Sequence, residues 1–220
     1  MSSENGALEN CVYKGIRKTI RRFRERPFHY FTEADIHAAL KREMIEGASD
    51  VLVTRPVQHV SVSLVHQEYP TNFRYSKSEL LDGYHGREDV TDIAGDHGDR
   101  GNFDMAVLNP GFLSSVFAEV GEQQSDGALE EALKHIINKD VNGAVLRRDN
   151  DESVGDELKF AIEVKFVHLF NTRNINMLEE VIKDNEKLRL ARYNSGNTLR
   201  PINLVFCASR GMKRKGGDED

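Results

Sequence analysis

One stretch of the chain restricts its fold more than any other, residues 158 to 169 with the sequence LKFAIEVKFVHL. Side chains of an extended strand alternate between the two faces of a sheet. One face of this stretch is therefore apolar and consists of Phe160, Ile162, Val164 and Phe166. Glu163 and Lys165 lie beside each other on the opposite face. A carboxylate and an ammonium in an apolar strand are costly unless they are paired, hydrated or bound to a metal. The pattern predicts a central strand that carries functional charges.

A second apolar stretch repeats this arrangement. Asp104 is the only charged residue between Phe103 and Leu108, and it shares its face with Ala106. Aspartate and glutamate from adjoining strands can together hold a hard cation such as Mg²⁺, which prefers oxygen ligands. A lysine two residues after the glutamate can orient or deprotonate a water, or stabilise charge on a phosphate. We therefore predict Asp104 and Glu163 as metal ligands, Lys165 as a catalytic residue, and Mg²⁺ as the cofactor, with Mn²⁺ as an alternative.

The first half of the chain has helical and extended patterns in turn. Apolar residues at helical spacing predict a helix over residues 13 to 24, and Pro27 ends it. A second helix is predicted to start at Thr32, the N-cap of a capping-box-like arrangement with Asp35, and to run to about Glu46. Residues 57 to 69 are rich in valine and alternate, which predicts a strand closed by Pro70. A polar loop is expected from Thr71 to Arg100.

The second half is predicted from the same signals. The expected elements are a short strand over Phe103 to Leu108, a further strand over Phe112 to Val120, a helix over Ala128 to Ile137, a strand over Leu158 to Leu169, a long amphipathic helix over Asn174 to Arg192 and a last strand over Ile202 to Cys207. Strands that are interrupted by helices predict an α/β fold.

Asp104 followed by Glu163-Val164-Lys165 resembles the D...(D/E)-x-K signature of the PD-(D/E)XK nuclease superfamily. The resemblance covers roughly residues 30 to 207. It implies a restriction-endonuclease-like core of a helix, a mixed β-sheet, a helix and a strand. It also implies Mg²⁺-dependent hydrolysis of phosphodiester bonds in nucleic acid, with DNA favoured. Glu33 matches the glutamate that many members carry on the first core helix.

The resemblance also suggests a division of the chain. Residues 1–29 would be a basic, helical N-terminal extension, residues 30–208 the nuclease-like domain with an insertion at 110–156, and residues 209–220 a disordered tail. The chain departs from the family pattern in two ways: Phe103 stands where the nominal motif has proline, and a long segment separates Asp104 from Glu163. Glu157-Leu158-Lys159 is a second E-x-K, and Glu119 is nearer to Asp104. Glu163 is preferred because Glu157 falls at the polar start of the strand and Glu119 lacks the lysine.

Two further residues are candidates for the same cleft. Glu68 closes a predicted strand and is either a further ligand or water-positioning acid, or an exposed strand-end charge. Arg100 precedes the Asp104 strand and either contacts a phosphate through its planar guanidinium or is an ordinary surface arginine, the commoner outcome. The alternative for Glu163 and Lys165 is an ordinary cross-strand ion pair on a solvated face, which contributes little stability.

Charge and composition limit the partners. A net charge of −6 argues against a general nucleic-acid coat protein. A local basic block lies between Lys14 and Arg26, however. It either contacts a nucleic-acid backbone, together with Lys183, Lys187, Arg189 and Arg192, or is an ordinary solvated face, the commoner outcome. The two cysteines and the lack of a long apolar run predict a cytoplasmic protein without membrane contact. A homodimer is left open, as is a second function class, a catalytically silent nuclease-fold module for binding or assembly.

Overall fold

The computed structural model describes residues 2–46, 63–75, 99–111, 158–168, 175–196 and 198–208. The helices are α1 (Ser2–Glu25), a short 3-10 helix (Pro27–His29), α2 (Glu33–Glu46) and α3 (Ile175–Asn194); the strands are β1 (Val65–Tyr75), β2 (Asp99–Leu108), β3 (Leu158–His168) and β4 (Arg200–Ala208). The predicted α/β class is confirmed.

The four described strands form one mixed sheet in the order β1-β2-β3-β4. β1 is antiparallel to β2, and β2 is antiparallel to β3. β3 and β4 are parallel, with α3 as the connection between them. A parallel pair requires a crossover of this kind, usually through a helix. β3 therefore lies between two partner strands, as its apolar sequence predicts.

Helix α1 packs on the apolar face of β3. The ring of Phe23 lies 5.9 Å from the ring of Phe166 and 5.0 Å from that of Phe206 on β4, both edge-on. Tyr13 meets Phe160 in the same way, at 5.8 Å. These contacts place the even-numbered side chains of β3 in the core, and they confirm the predicted faces of this strand.

The N-terminal helix belongs to the same core as the sheet. Leu8 and Val12 are buried and continue the stripe that Ile16 and Phe23 form farther along the helix. The stripe explains why α1, which begins at Ser2, extends well before the predicted residue 13.

Helices α1 and α2 approach each other closely at Gly15. A Cβ atom added there would lie 2.7 Å from Cγ and 2.9 Å from the backbone nitrogen of Met44. Both distances are shorter than any ordinary carbon contact, so the packing of the two helices requires glycine at this position.

The start of α2 matches the predicted capping arrangement. Oγ1 of Thr32 accepts a hydrogen bond from the Asp35 N–H at 3.3 Å, and Oδ2 of Asp35 accepts one from the Thr32 N–H at 2.9 Å. The same Asp35 oxygen accepts from the Phe31 N–H at 2.8 Å, and these hydrogen bonds lower the pKa of the Asp35 carboxyl. The first residue of the helix, Glu33, is thereby held in a fixed place.

Two predictions about β1 are wrong. The strand continues through Pro70 to Tyr75, and the predicted loop from Thr71 to Arg100 includes the paired ends of β1 and β2. Proline is tolerated because β1 is an edge strand of the described sheet, where a missing N–H breaks no ladder hydrogen bond on the outer side.

Several predictions lie outside the described residues: the start of the first strand (57–62), the strand over 112–120, the helix over 128–137, Glu119, Glu157 and the tail 209–220. Within the described part, no helix combines the length and the apolar character that crossing a membrane requires.

Candidate metal centre

Asp104 and Glu163 lie on one face of two paired strands. Ala106 pairs with Ala161, and Met105 pairs with Ile162, so that the next residues outward are Asp104 on β2 and Glu163 on β3. Since side chains alternate along both strands, the two carboxylates share the face of the two small alanines. The predicted common face of these acids is thus present in the structure.

Asp104 is anchored to β3 by its side chain. Its Oδ2 accepts a hydrogen bond from the Val164 backbone N–H at 2.7 Å. The other carboxylate oxygen, Oδ1, takes no part in this bond. Asp104 therefore has a fixed orientation and a second oxygen for a ligand.

Glu33 makes a parallel contact two residues farther along β3. Its Oε2 accepts a hydrogen bond from the Phe166 N–H at 3.1 Å, and its Oε1 lies 3.8 Å from Nζ of Lys165. Burial raises the pKa of the Glu33 carboxyl, although Lys165 opposes this shift. Alternate backbone N–H groups of β3 thus orient the carboxylates of Glu33 and Asp104 toward a common space.

His37 completes this group from the next turn of α2. It follows Glu33 by four residues, the spacing that brings two side chains to the same helix face. Its Nε2 lies 3.8 Å from Oδ2 of Asp104, and ligand atoms of Glu33, His37 and Asp104 all lie within 4.8 Å of one another. The His37 residue is only 8% exposed, and within the described part of the chain its Nε2 has no hydrogen-bond partner.

A buried ring nitrogen without a hydrogen bond is costly, and such an atom calls for a partner such as a water or an ion. Two carboxylates and an imidazole are common ligands of divalent metal ions. The three residues therefore fit a metal site in both chemistry and spacing.

Glu163 is paired with a cation that the protein supplies. The residue is 1% exposed, and its Oε1 forms an ion pair with Nζ of Lys187 on α3. Burial raises the pKa of Glu163 to about 9, against the opposing effect of Lys187. Lys187 also donates to the Asn102 carbonyl at 3.0 Å, and its Nζ lies 5.5 Å from the ring centre of Phe103.

Lys165 lies close to the carboxylates of Glu33 and Asp184. Its Nζ is 3.8 Å from Glu33 and 3.5 Å from Oδ2 of Asp184 on α3. Burial lowers the pKa of Lys165, but the nearby carboxyl groups of Asp184, Glu33, Asp104 and Glu163 together outweigh that effect, so that the net shift is upward. Lys165 is therefore a cation at neutral pH. Burial also raises the pKa of Asp184, although the positive charges of Lys165 and Lys187 oppose this shift.

The structure brings together the predicted residues Asp104, Glu163, Lys165 and Glu33.

Glu68 lies opposite Asp104 in the strand register, because its neighbours Gln67 and Tyr69 pair with Met105 and Phe103. Its side chain is exposed, its φ of 50° is left-handed, and it does not belong to the group of potential ligands in the described residues. Arg100 pairs with Arg74 at the far end of β2, and only its backbone is described.

The predicted basic surface needs one correction. Lys187 is buried against Glu163 and cannot contact a phosphate backbone at the surface. In α1, Arg22 forms an ion pair with the buried carboxylate of Glu43, and Lys18 lies 3.5 Å from it. Both side chains therefore help to hold α1 against α2.

Two site residues, His37 and Asp184, were missed, and Lys187 was predicted only as part of the basic surface. The spacing of Glu33 and His37 was a usable signal, because it is a one-turn pair on the helix that carries the predicted glutamate. Asp184 and Lys187 are also one turn apart, but α3 has many charged residues, and only the packing of α3 on the sheet distinguishes these two.

No protein-family model matches the chain, and no curated protein and no solved structure matches it either.

Proposed function

We propose that this chain is a divalent-metal-dependent nuclease of the PD-(D/E)XK type, which hydrolyses phosphodiester bonds of nucleic acid, with DNA as the favoured substrate. The observation that supports it most is the buried Nε2 of His37, which lies beside the carboxylates of Glu33 and Asp104. The motif lysine, Lys165, borders the same group.

Glu33, His37 and Asp104 would hold the metal. A divalent ion at this position would act as a Lewis acid toward the phosphate and would make a water more acidic. Carboxylate oxygens suit Mg²⁺ and Mn²⁺, whereas an imidazole nitrogen favours first-row transition ions. We therefore expect Mn²⁺ to bind more tightly than Mg²⁺.

Lys165 would stabilise negative charge on the scissile phosphate. The raised pKa keeps its ammonium protonated, which suits a positive charge directed at the transition state better than a general base. Asp184, like Glu33, lies within 4 Å of the ammonium, and the two carboxylates together position it.

Glu163 would be the second acidic residue of the motif. Its carboxylate is ion-paired to Lys187 in the structure, so a metal would have to share this carboxylate with Lys187 or displace it. The restriction-endonuclease-like fold is part of the same proposal. A helix, three antiparallel strands, a helix and a parallel strand support it.

The experiment is a cleavage assay with purified protein, plasmid, branched and single-stranded DNA, and Mn²⁺, Mg²⁺ or a chelator. We expect cleavage that needs the metal and that falls about a hundredfold or more in Lys165→Ala, the size of effect seen when one transition-state contact is lost. Leu178→Ala is the matched control, because Leu178 is an exposed residue of α3. Wild-type rates in Lys165→Ala would exclude the assigned role.

A silent binding or assembly module is the second candidate. The ion pair between Lys187 and Glu163 favours it, since an internal cation already neutralises the motif glutamate. In that case Mn²⁺ would leave the melting temperature unchanged, and none of the substrates would be cleaved. The melting temperature with and without Mn²⁺, which requires no substrate, therefore distinguishes the two functions.

A further inference from the structure

Two phenylalanines are exposed on the connection between α1 and α2. Phe28 is 58% exposed and Phe31 is 75% exposed. The large hydrophobic residues that are exposed in the described part of the chain are Phe28, Phe31, Leu178, Tyr193 and Val205. Two of these five therefore lie within four consecutive positions, and both are aromatic.

The connection is fixed in place. Tyr30, between the two phenylalanines, is buried, and its ring lies 5.5 Å from that of Phe23 in the core. The Phe31 N–H donates to Oδ2 of Asp35 at 2.8 Å, and the Tyr30 N–H donates to the Pro27 carbonyl at 3.4 Å. Since the backbone is held from both sides, the two phenyl rings can meet a partner with little loss of conformational entropy.

Two arginines precede the rings along the chain, with one acidic residue, Glu25, between them. Arg24 and Arg26 are exposed immediately before the 3-10 helix, and His29 is exposed within it. Exposed arginines next to exposed aromatic rings suit a partner that offers both negative charge and flat, apolar faces. Single-stranded nucleic acid offers both, because its phosphates are charged and its bases have exposed π-faces.

The rings are also close to the candidate metal centre along the chain. Glu33 follows Phe31 by two residues and is fixed to β3 by its bond to the Phe166 N–H. Two residues of chain keep the Cα atom of Phe31 within about 7 Å of that of Glu33, one of the three potential ligands.

We infer that Phe28 and Phe31 form a stacking surface for unpaired bases, with Arg24 and Arg26 in contact with the adjoining phosphates. The inference rests on the proposed nuclease function and narrows its substrate to single-stranded or locally unpaired nucleic acid. In a duplex the base faces are already stacked, so a duplex offers no comparable partner for the two rings.

The test measures the binding of fluorescein-labelled oligothymidylate by anisotropy, in a chelator so that nothing is cleaved, with a duplex of equal length beside it. Replacing both rings (Phe28→Ala with Phe31→Ala) should weaken single-strand binding at least about tenfold, given the usual contribution of each stacked base. The paired Tyr variants (F28Y with F31Y) should stay within about twofold of wild type, because they keep the π-face. Leu178→Ala, an exposed apolar residue on α3, should bind as wild type.

Arg24→Ala with Arg26→Ala should weaken binding and reduce its dependence on salt. Binding with fewer phosphate contacts releases fewer counterions. Unchanged single-strand affinity in the double phenylalanine variant would overturn the inference. So would a change in oligomeric state in that variant without loss of affinity, because the rings would then contact a second copy of the chain.

The failure of this inference is distinguishable from the failure of the proposed function. Metal-dependent cleavage with unchanged affinity in the phenylalanine variant would overturn only the stacking surface. Loss of affinity in that variant without cleavage by the wild type would support the surface and overturn the proposed catalysis.

Discussion

Oδ2 of Asp104 accepts a hydrogen bond from the Val164 N–H at 2.7 Å. Val164 lies two residues beyond Ile162, the residue of β3 that pairs with Met105 of β2. The carboxylate thus occupies a place that a backbone carbonyl of β2 would fill if the regular ladder continued. Glu33 does the same for Phe166 from another element. Acidic side chains in the line of the ladder are therefore both structural and available to a ligand.

Asp104→Ala and Asp104→Asn should separate these two roles. The alanine variant removes the acceptor of the Val164 N–H and should lose about 1–3 kcal/mol of unfolding free energy, as for other buried donors that lose their partner. The asparagine variant keeps an acceptor and should lose less, but both should lose Mn²⁺ affinity. Urea denaturation and calorimetric titration with Mn²⁺ measure the two effects. Wild-type Mn²⁺ affinity in the asparagine variant would contradict the assignment of Asp104 as a ligand.

His37→Leu should have opposite effects with and without metal. Without metal, the variant removes a buried nitrogen that lacks a hydrogen bond in the described structure, and we expect unfolding free energy to stay equal or to rise by about 1 kcal/mol. With Mn²⁺ at about a hundred times its dissociation constant, the wild type should gain about 2.7 kcal/mol, and the variant should gain much less. Melting temperatures with Mn²⁺ and with a chelator report both values. An equal Mn²⁺ response would rule out His37 as a ligand.

Lys187→Met should be the most destabilising change near the site. It leaves Glu163 buried without its cationic partner, which typically costs about 3–5 kcal/mol where the remaining group is charged, so the loss should be largest at about pH 9 and above, where Glu163 ionises. Adding Glu163→Gln to this variant should recover much of the loss, because it removes the unpaired charge. Urea denaturation of the two single variants and the double variant gives the coupling between the residues. Additive losses would show that the ion pair contributes nothing to stability.

Stability in the presence of a chelator should fall as pH rises across neutrality. The folded pKa of Glu163 is raised to about 9 from 4.5, so between these values the folded state binds more protons than the unfolded state. The stabilising contribution is then fully present below pH 4.5 and is lost as pH rises toward the folded pKa, by at most about 1.4 kcal/mol per pH unit for one proton.

The pKa values of Glu33 and Asp184 are also raised, and they too make the free energy of unfolding fall as pH rises. Urea denaturation at about pH 6 and about pH 8 tests the sign, and Glu163→Gln should reduce the slope. A stability that rises over this interval would contradict the burial of Glu163.

Gly15→Ala and Gly6→Ala form a matched pair within α1. At Gly15 the new methyl would meet the backbone of Met44, and we expect a loss of about 1–3 kcal/mol from the forced separation of the helices. At Gly6 nothing lies within 4 Å, and alanine should stabilise by about 0.5–1 kcal/mol through its better helix propensity. Thermal unfolding of both variants tests the contact, and equal shifts would show that α1 does not pack closely on α2.

The elements with strong periodic patterns were predictable from the sequence. The bounds of β3, α2 and β4 agree with prediction within about two residues, because the alternation or capping residues that define them act locally. The length of β1 was not predictable in this way, since the tolerance for Pro70 depends on the position of the strand at the sheet edge.

The site was only partly predictable for a related reason. Asp104, Glu163 and Lys165 stood out because charge is rare in apolar strands. Lys187 and Asp184 did not stand out, because acids and bases are common along an amphipathic helix. Which of them contacts the sheet depends on how α3 packs after β3, a tertiary property that helical spacing alone does not encode.

The bond between Glu33 and Phe166 joins positions 133 residues apart along the chain. A protease that cuts anywhere between α2 and β2 would leave Glu33 and His37 on one fragment and Asp104 on the other. Neither fragment alone would have the full set of proposed ligands, so Mn²⁺ binding that returned only after mixing would show that the two pieces had reassociated.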